Sequence, residues 1–159
     1  MSVPTGLQAG DREPDTIDTS GVHVWLILWK ATRSVEALAR KSVKGLGMGN
    51  SDFGILETLL HKGPLPVNEI GKRVLLASGS MTTAIDRLQQ RGFVARKDHP
   101  TDHRTWLVHL TTSGRKWIKK AFAQHAVRMD AALASLSNEE KTALVQTLKK
   151  VGKGAEALT

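Results

Sequence analysis

Apolar residues recur at helical spacing towards both ends of the chain and alternate only in a short central stretch. From about Thr19 to Lys44, Val24, Leu28, Ala31, Val35 and Leu38 share one stripe of a long helix. Trp25 and Trp29 lie roughly 100–140° off that stripe, so a further surface has to cover two large aromatics. Gly45, Gly47 and Gly49 end this helix. Ser51 is placed to cap a short helix with Phe53, Leu56, Leu59 and Leu60, closed by Gly63-Pro64. Pro66 opens a second, Val67 to about Val74, with Val67, Ile70 and Val74 inward. Ser78 caps a third, which runs to Arg91, stops at Gly92 and buries Met81, Ala84, Ile85 and Leu88. Beyond Gly92 the period falls to two, predicting strands at 93–97 and 105–110 joined by a polar, proline-containing stretch. Thr111 caps a long helix carrying Ile118, Ala121, Phe122, His125, Met129, Leu133 and Leu136. Ser137 with Glu140 forms a capping box that opens a last helix with Leu144, Leu148 and Val151, ending near Gly152. Residues 1–17, with Pro4, Gly6, Gly10 and Pro14, read as a mobile tail.

The fold class is therefore mainly α with a small β-hairpin. A hairpin directly after a helix-turn-helix is a wing, which makes the centre a winged helix-turn-helix. At 159 residues the chain is about one domain with helical extensions.

Charge changes the picture. The net charge is +8, from 23 basic and 15 acidic residues. Residues 62–120 hold 12 basic and 4 acidic residues, which is the whole excess. A basic segment between near-neutral flanks points to one polyanion-binding face. Within it, Ser80, Thr83 and Arg87 follow helical steps on the face opposite the apolar one, with Ser78 at the helix start and Thr82 alongside. Small side chains let a helix enter the major groove of double-stranded DNA, where Ser and Thr can bond bases or phosphates and Arg can bond guanine. Arg96, Lys97, His103 and Arg104 cluster at the wing, where arginine suits the minor groove. Asp98 and Asp102 would repel phosphate and are read as holding the shape of the tip. Lys97, Arg115, Lys116 and Lys119 are candidates for phosphate contacts that add affinity without specificity.

Other chemistries find little support. The chain has no cysteine, so it has no disulfide, thiolate metal site or cysteine nucleophile. The six histidines form no ligand motif, and no catalytic cluster of acid, base and nucleophile is seen, so neither enzyme nor cofactor nor metal is expected. His99 and His103 are four apart, but in a proline-containing loop that spacing gives no shared face. The apolar-rich run from Val22 to Trp29 contains His23 and is far short of the ~20 residues that span a bilayer. No membrane association is expected, and with nothing resembling a signal peptide the expected location is cytoplasmic. A metal-responsive regulator of the same fold and a non-specific architectural DNA binder remain alternatives.

Three motifs carry a resemblance. Residues 87–96 (RLQQRGFVAR) fit a pattern RLxxxGhhxR, residues 98–104 (DHPTDHR) are similar to a DPxDxR wing, and residues 110–115 (LTTSGR) to LTxxGR. In this order and spacing they identify the chain as resembling the MarR family of bacterial transcriptional regulators over roughly residues 20–151. The resemblance implies an obligate homodimer on a palindromic operator, usually a repressor released by small aromatic or phenolic ligands. It also implies a tail at 1–18, dimerisation helices at 19–50 and 112–159, and a DNA-binding region at 51–111. It implies groove contacts from the Ser78–Arg87 helix, insertion of Arg104 at the wing tip and bracing by Asp102. His103 departs from the family's often basic choice, and the absent cysteine excludes a peroxide-sensing thiol. Effectors in that family sit between the dimer helices and the DNA-binding lobe. Suitable linings are Trp25, Trp29 and Phe53 for a ring, with His23 or Arg33 for its anionic group. The same residues also read as packing at the dimer interface, which is the simpler role.

Overall fold

The computed structural model describes residues 17–74, 78–98 and 106–159. The wing-tip candidates Asp102, His103 and Arg104 fall outside the described residues. In chain order the elements are α1 (Gly21–Gly45), α2 (Asn50–Lys62), β1 (Leu65–Pro66), α3 (Val67–Val74) and α4 (Ser78–Gln90). They continue with β2 (Val94–Asp98), β3 (Trp106–Leu110), α5 (Thr112–Ala132) and α6 (Asn138–Glu156). No described helix is long and apolar enough to cross a membrane.

The chain divides after Ser34 into two compact units. In the first, Asp18 accepts a hydrogen bond from the Ser20 amide at 2.8 Å, and the Ser20 hydroxyl accepts one from the His23 amide at 3.3 Å, which secures the start of α1. Val22, Val24, Trp25, Ile27 and Trp29 stay exposed.

The second unit contains the core. Ile55, Leu56 and Leu59 of α2 meet Ile70 of α3, Met81, Ile85 and Leu88 of α4, Val94 and Val108 of the sheet, and Ile118 of α5. The apolar back expected for α4 is buried in full. The sheet has the order β1-β3-β2 and is antiparallel, with Val94 opposite Leu110 and Asp98 opposite Trp106. Strand β1 escapes a reading by period because two residues cannot show one; Leu65 pairs with Val108 and adds a third strand to the hairpin.

Several boundaries differ from expectation. The residue capping α2 is Gly49, in extended conformation and without a side-chain bond, and Ser51 already lies inside the helix. Helix α5 stops at Ala132, before Leu133 and Leu136. Helix α6 passes through Gly152 and Gly154 to Glu156, because an isolated glycine lowers helix stability without ending a helix. Gly63 and Gly92 do act as stops, with φ of 79° and 73°, where an L side chain would be strained. The capping box of α6 forms as expected, Ser137 and Glu140 exchanging bonds of 2.7 and 3.2 Å. Thr111 caps α5 by accepting from the Gly114 amide at 3.0 Å, while its hydroxyl also approaches the carbonyls of Gly92 and Phe93.

Gly114 packs directly beneath the backbone of Phe93, and a Cβ there would overlap the Phe93 carbonyl. Gly114→Ala should therefore cost about 2 kcal/mol or more of unfolding free energy. Gly152→Ala, in open space on α6, should add up to about 1 kcal/mol. Denaturant unfolding of both variants checks this, and equal effects would refute the close approach.

Candidate nucleic-acid interface

With Met81, Ala84, Ile85 and Leu88 turned inward, the outward positions of α4 are Ser80, Thr82, Thr83, Arg87, Gln89 and Gln90. Ser80, Thr83 and Arg87 share a face, as their spacing requires. The Thr83 hydroxyl also bonds the Gly79 carbonyl at 3.3 Å, one turn back. Ser78 is the first residue of the helix.

Arg87 does more than project outward. Its Nε donates to Asp52 Oδ2 at 2.8 Å and its Nη2 donates to Oδ1, a two-point bond between α4 and the first turn of α2. Asp52 is only 3% exposed, whereas the Arg87 side chain keeps 48% of its surface in water. The hydrogen bond to Asp52 raises the Arg87 guanidinium above its ordinary value; burial opposes this, and the negative charge of Asp52 adds to it. Arg96 is held in the same manner. From β2 it donates to Asp86 at 2.6 Å and to Gln89 at 3.0 Å, both on α4. Ion pairs thus fix α4 to its neighbours on two sides. Arg91 lies over the Phe93 ring at 4.9 Å from the centroid, with Nη1 3.2 Å from Met48 Sδ.

Lys97 on β2 and Arg115, Lys116 and Lys119 on α5 are exposed cations. Asp98 is exposed at the end of β2.

The ligand candidates separate. In the first unit Trp25 and Trp29 stack with centroids 6.4 Å apart, and the Arg33 guanidinium lies 5.0 Å from the Trp29 ring. His23 is 3.8 Å from Asp18. In the second unit Phe53 is taken up by the core, edge-on to His125 at 5.1 Å, and His125 Nδ1 is 3.0 Å from the hydroxyl of buried Ser42. Among the described residues no group of three His, Asp or Glu side chains is placed to hold a metal ion.

Sequence reasoning missed the Asp52–Arg87 and Asp86–Arg96 pairs. A signal existed for the first. Asp52 falls on the same helical stripe as Ile55, Leu56 and Leu59, and a carboxylate on an apolar face requires a partner.

A basic unit in which a helix-turn-helix is backed by a three-stranded wing, with a polar helix face turned outward, defines a winged helix-turn-helix DNA-binding protein. Residues 50–106 match the sequence profile of the MarR family. The chain is 35% identical to the HTH-type transcriptional regulator MhqR of Bacillus subtilis over 85% of its own length and 93% of that protein. Its fold matches an E. coli MarR variant complexed with operator DNA (TM-score 0.71, 23% identity, 82% of this chain and 94% of that one). It also matches Bordetella bronchiseptica BpsR, whose DNA binding is regulated by 6-hydroxynicotinic acid (TM-score 0.70, 22% identity, 82% and 98%). The chain belongs to the MarR family and is a DNA-binding transcriptional regulator.

Removing Arg87 leaves a carboxylate out of water without its cation. Arg87→Ala should lower unfolding free energy by about 2 kcal/mol, less than the ~3–5 kcal/mol of a fully buried pair because water screens the half-exposed guanidinium. Adding Asp52→Asn should recover part of that loss. Denaturant unfolding of the single and double variants measures it, and a double variant no more stable than Arg87→Ala refutes the pairing.

Proposed function

We propose that the protein is a homodimeric repressor that reads a palindromic operator and is released by a small aromatic or phenolic ligand. The observation that carries this reading is the hydroxyl-rich outer face of α4, set in the segment that holds the whole positive excess. Ser80, Thr82, Thr83 and Arg87 contact base edges in the major groove, and backbone amides at the Ser78 end hold a phosphate. On the wing, Arg96 and Lys97 contact the backbone, Arg104 enters the minor groove and Asp102 braces the tip. That the E. coli neighbour of the same fold is complexed with operator DNA supports duplex DNA as the partner.

Residues 19–50 and 112–159 pair with a second copy, leaving 51–111 as the DNA-binding region. Helix α6 supports this: none of its residues is buried, and Leu144, Leu148 and Val151 form an apolar stripe beside Val145. The exposed apolar residues of the first unit support it as well. Two readers related by a two-fold axis match half-sites about one helical turn, ~34 Å, apart.

The stacked Trp25 and Trp29, with Arg33 beside them, suit an aromatic anion, and His23 supplies a further donor. Phe53, taken up by the core, is left out of this site. The regulation of the Bordetella neighbour by a hydroxylated aromatic acid supports this class of ligand. A ligand releases DNA by binding better to a dimer whose reader spacing does not fit the duplex.

Footprinting on genomic fragments should give two protected half-sites about one turn apart, and sedimentation should give a dimer. Preference for that site over random duplex at matched salt should reach ~10³-fold or more. Arg104→Ala should weaken all duplexes alike. A monomer, or equal binding to all sequences, overturns the reading; the latter result is that of an architectural DNA binder. Aromatic acids and phenols titrated against tryptophan fluorescence should include one that quenches emission and shifts operator binding. Loss of that quenching in Trp29→Leu checks the site.

A further inference from the structure

We propose that Asp52, a residue with no access to DNA, sets sequence discrimination by fixing the Arg87 guanidinium in one orientation on the outer face of α4. The inference rests on the reading of α4 as the groove-reading helix and says how its arginine is presented. Asp52 is buried in the first turn of α2, and both of its carboxylate oxygens accept from Arg87, one from Nε at 2.8 Å and one from Nη2. Two parallel bonds fix the plane of the fork as well as its position. The Arg87 side chain keeps 48% of its surface in water, on a helix whose exposed positions include Ser80 and Thr83.

Two consequences follow from the charges. An unheld arginine gives up rotamer freedom on meeting a base, whereas one already bound to a carboxylate has given up most of it beforehand. The carboxylate also offsets the positive charge, so Arg87 adds little to the sequence-blind attraction of phosphates but keeps its directional N–H groups. Asp52 therefore lowers general affinity and raises selectivity. Arg96, held by Asp86 and Gln89, shows the same arrangement at the base of the wing.

The test uses the full chain and two probes of equal length: a duplex selected by the wild type from a random library, and a random-sequence duplex. Dissociation constants are measured across a salt series, alongside thermal unfolding, for wild type, Asp52→Asn and Arg87→Lys. Asp52→Asn should cut the selected-to-random preference about tenfold. It should also steepen the salt dependence on random duplex by about one unit of log–log slope, because the arginine becomes an uncompensated cation. Arg87→Lys keeps a positive charge beside Asp52 but not the planar fork, and should cut the preference similarly. A purely structural role for the pair would weaken both duplexes in parallel, and that result, or an unchanged preference, overturns the proposal. Should Asp52→Asn fail to fold, Arg87→Lys decides by the same criterion. A wild type that enriches no duplex removes the groove-reading assignment together with this inference, and that failure appears before any substitution is made.

Discussion

A helix can offer an uninterrupted polar face to a ligand only if its other side is withdrawn from water. In α4 that withdrawal is complete: Met81, Ala84, Ile85 and Leu88 are sealed in the core, with α2, α3 and β2 as the neighbours of the helix. Burial of a Leu- or Ile-sized side chain is worth about 2 kcal/mol, so these residues leave α4 little freedom to rotate. Every polar residue of the helix is therefore assigned to one side, and the outer face of this regulator follows from the inner one.

Apolar packing alone does not fix the angle at which α4 stands, since hydrophobic contact is not directional. The two ion pairs supply direction. Asp52 ties α4 to α2 through Arg87, and Asp86 ties it to β2 through Arg96. The two differ in kind. Asp86 is half exposed, so its pair is of the solvent-screened sort that contributes well under a kilocalorie per mole or so. Asp52 is cut off from water, and its pair is a requirement for keeping a charge inside the unit.

Helix α6 has the opposite character. Helix α6 is well capped and nineteen residues long, yet it buries none of them within this chain. Capping and propensity account for its helicity, while its apolar stripe awaits a surface. The wing-and-helix unit, by contrast, holds the buried core.

Much of this was legible in the sequence, because periodicity depends on local geometry that each element carries with it. The buried back of α4, the hairpin, the Thr111 cap and the Ser137–Glu140 box all lie where residue spacing placed them. Local chemistry erred where a segment had more than one local outcome open to it, or where pairing decides. Ser51 could have capped α2, yet the chain turns at Gly49; Gly152 could have ended α6, yet the helix continues to Glu156. Strand β1 exists only through its pairing with β3. The sequence by itself determined a basic, mainly helical DNA binder and the face of α4 that carries its polar groups. The tertiary structure decided what those groups are attached to: Arg87 meets a carboxylate thirty-five positions earlier, and Phe53 meets the core and His125. The reason is physical. Which residues share a face is set within a few turns of one helix, whereas the partner of a charge is set by how separate helices pack.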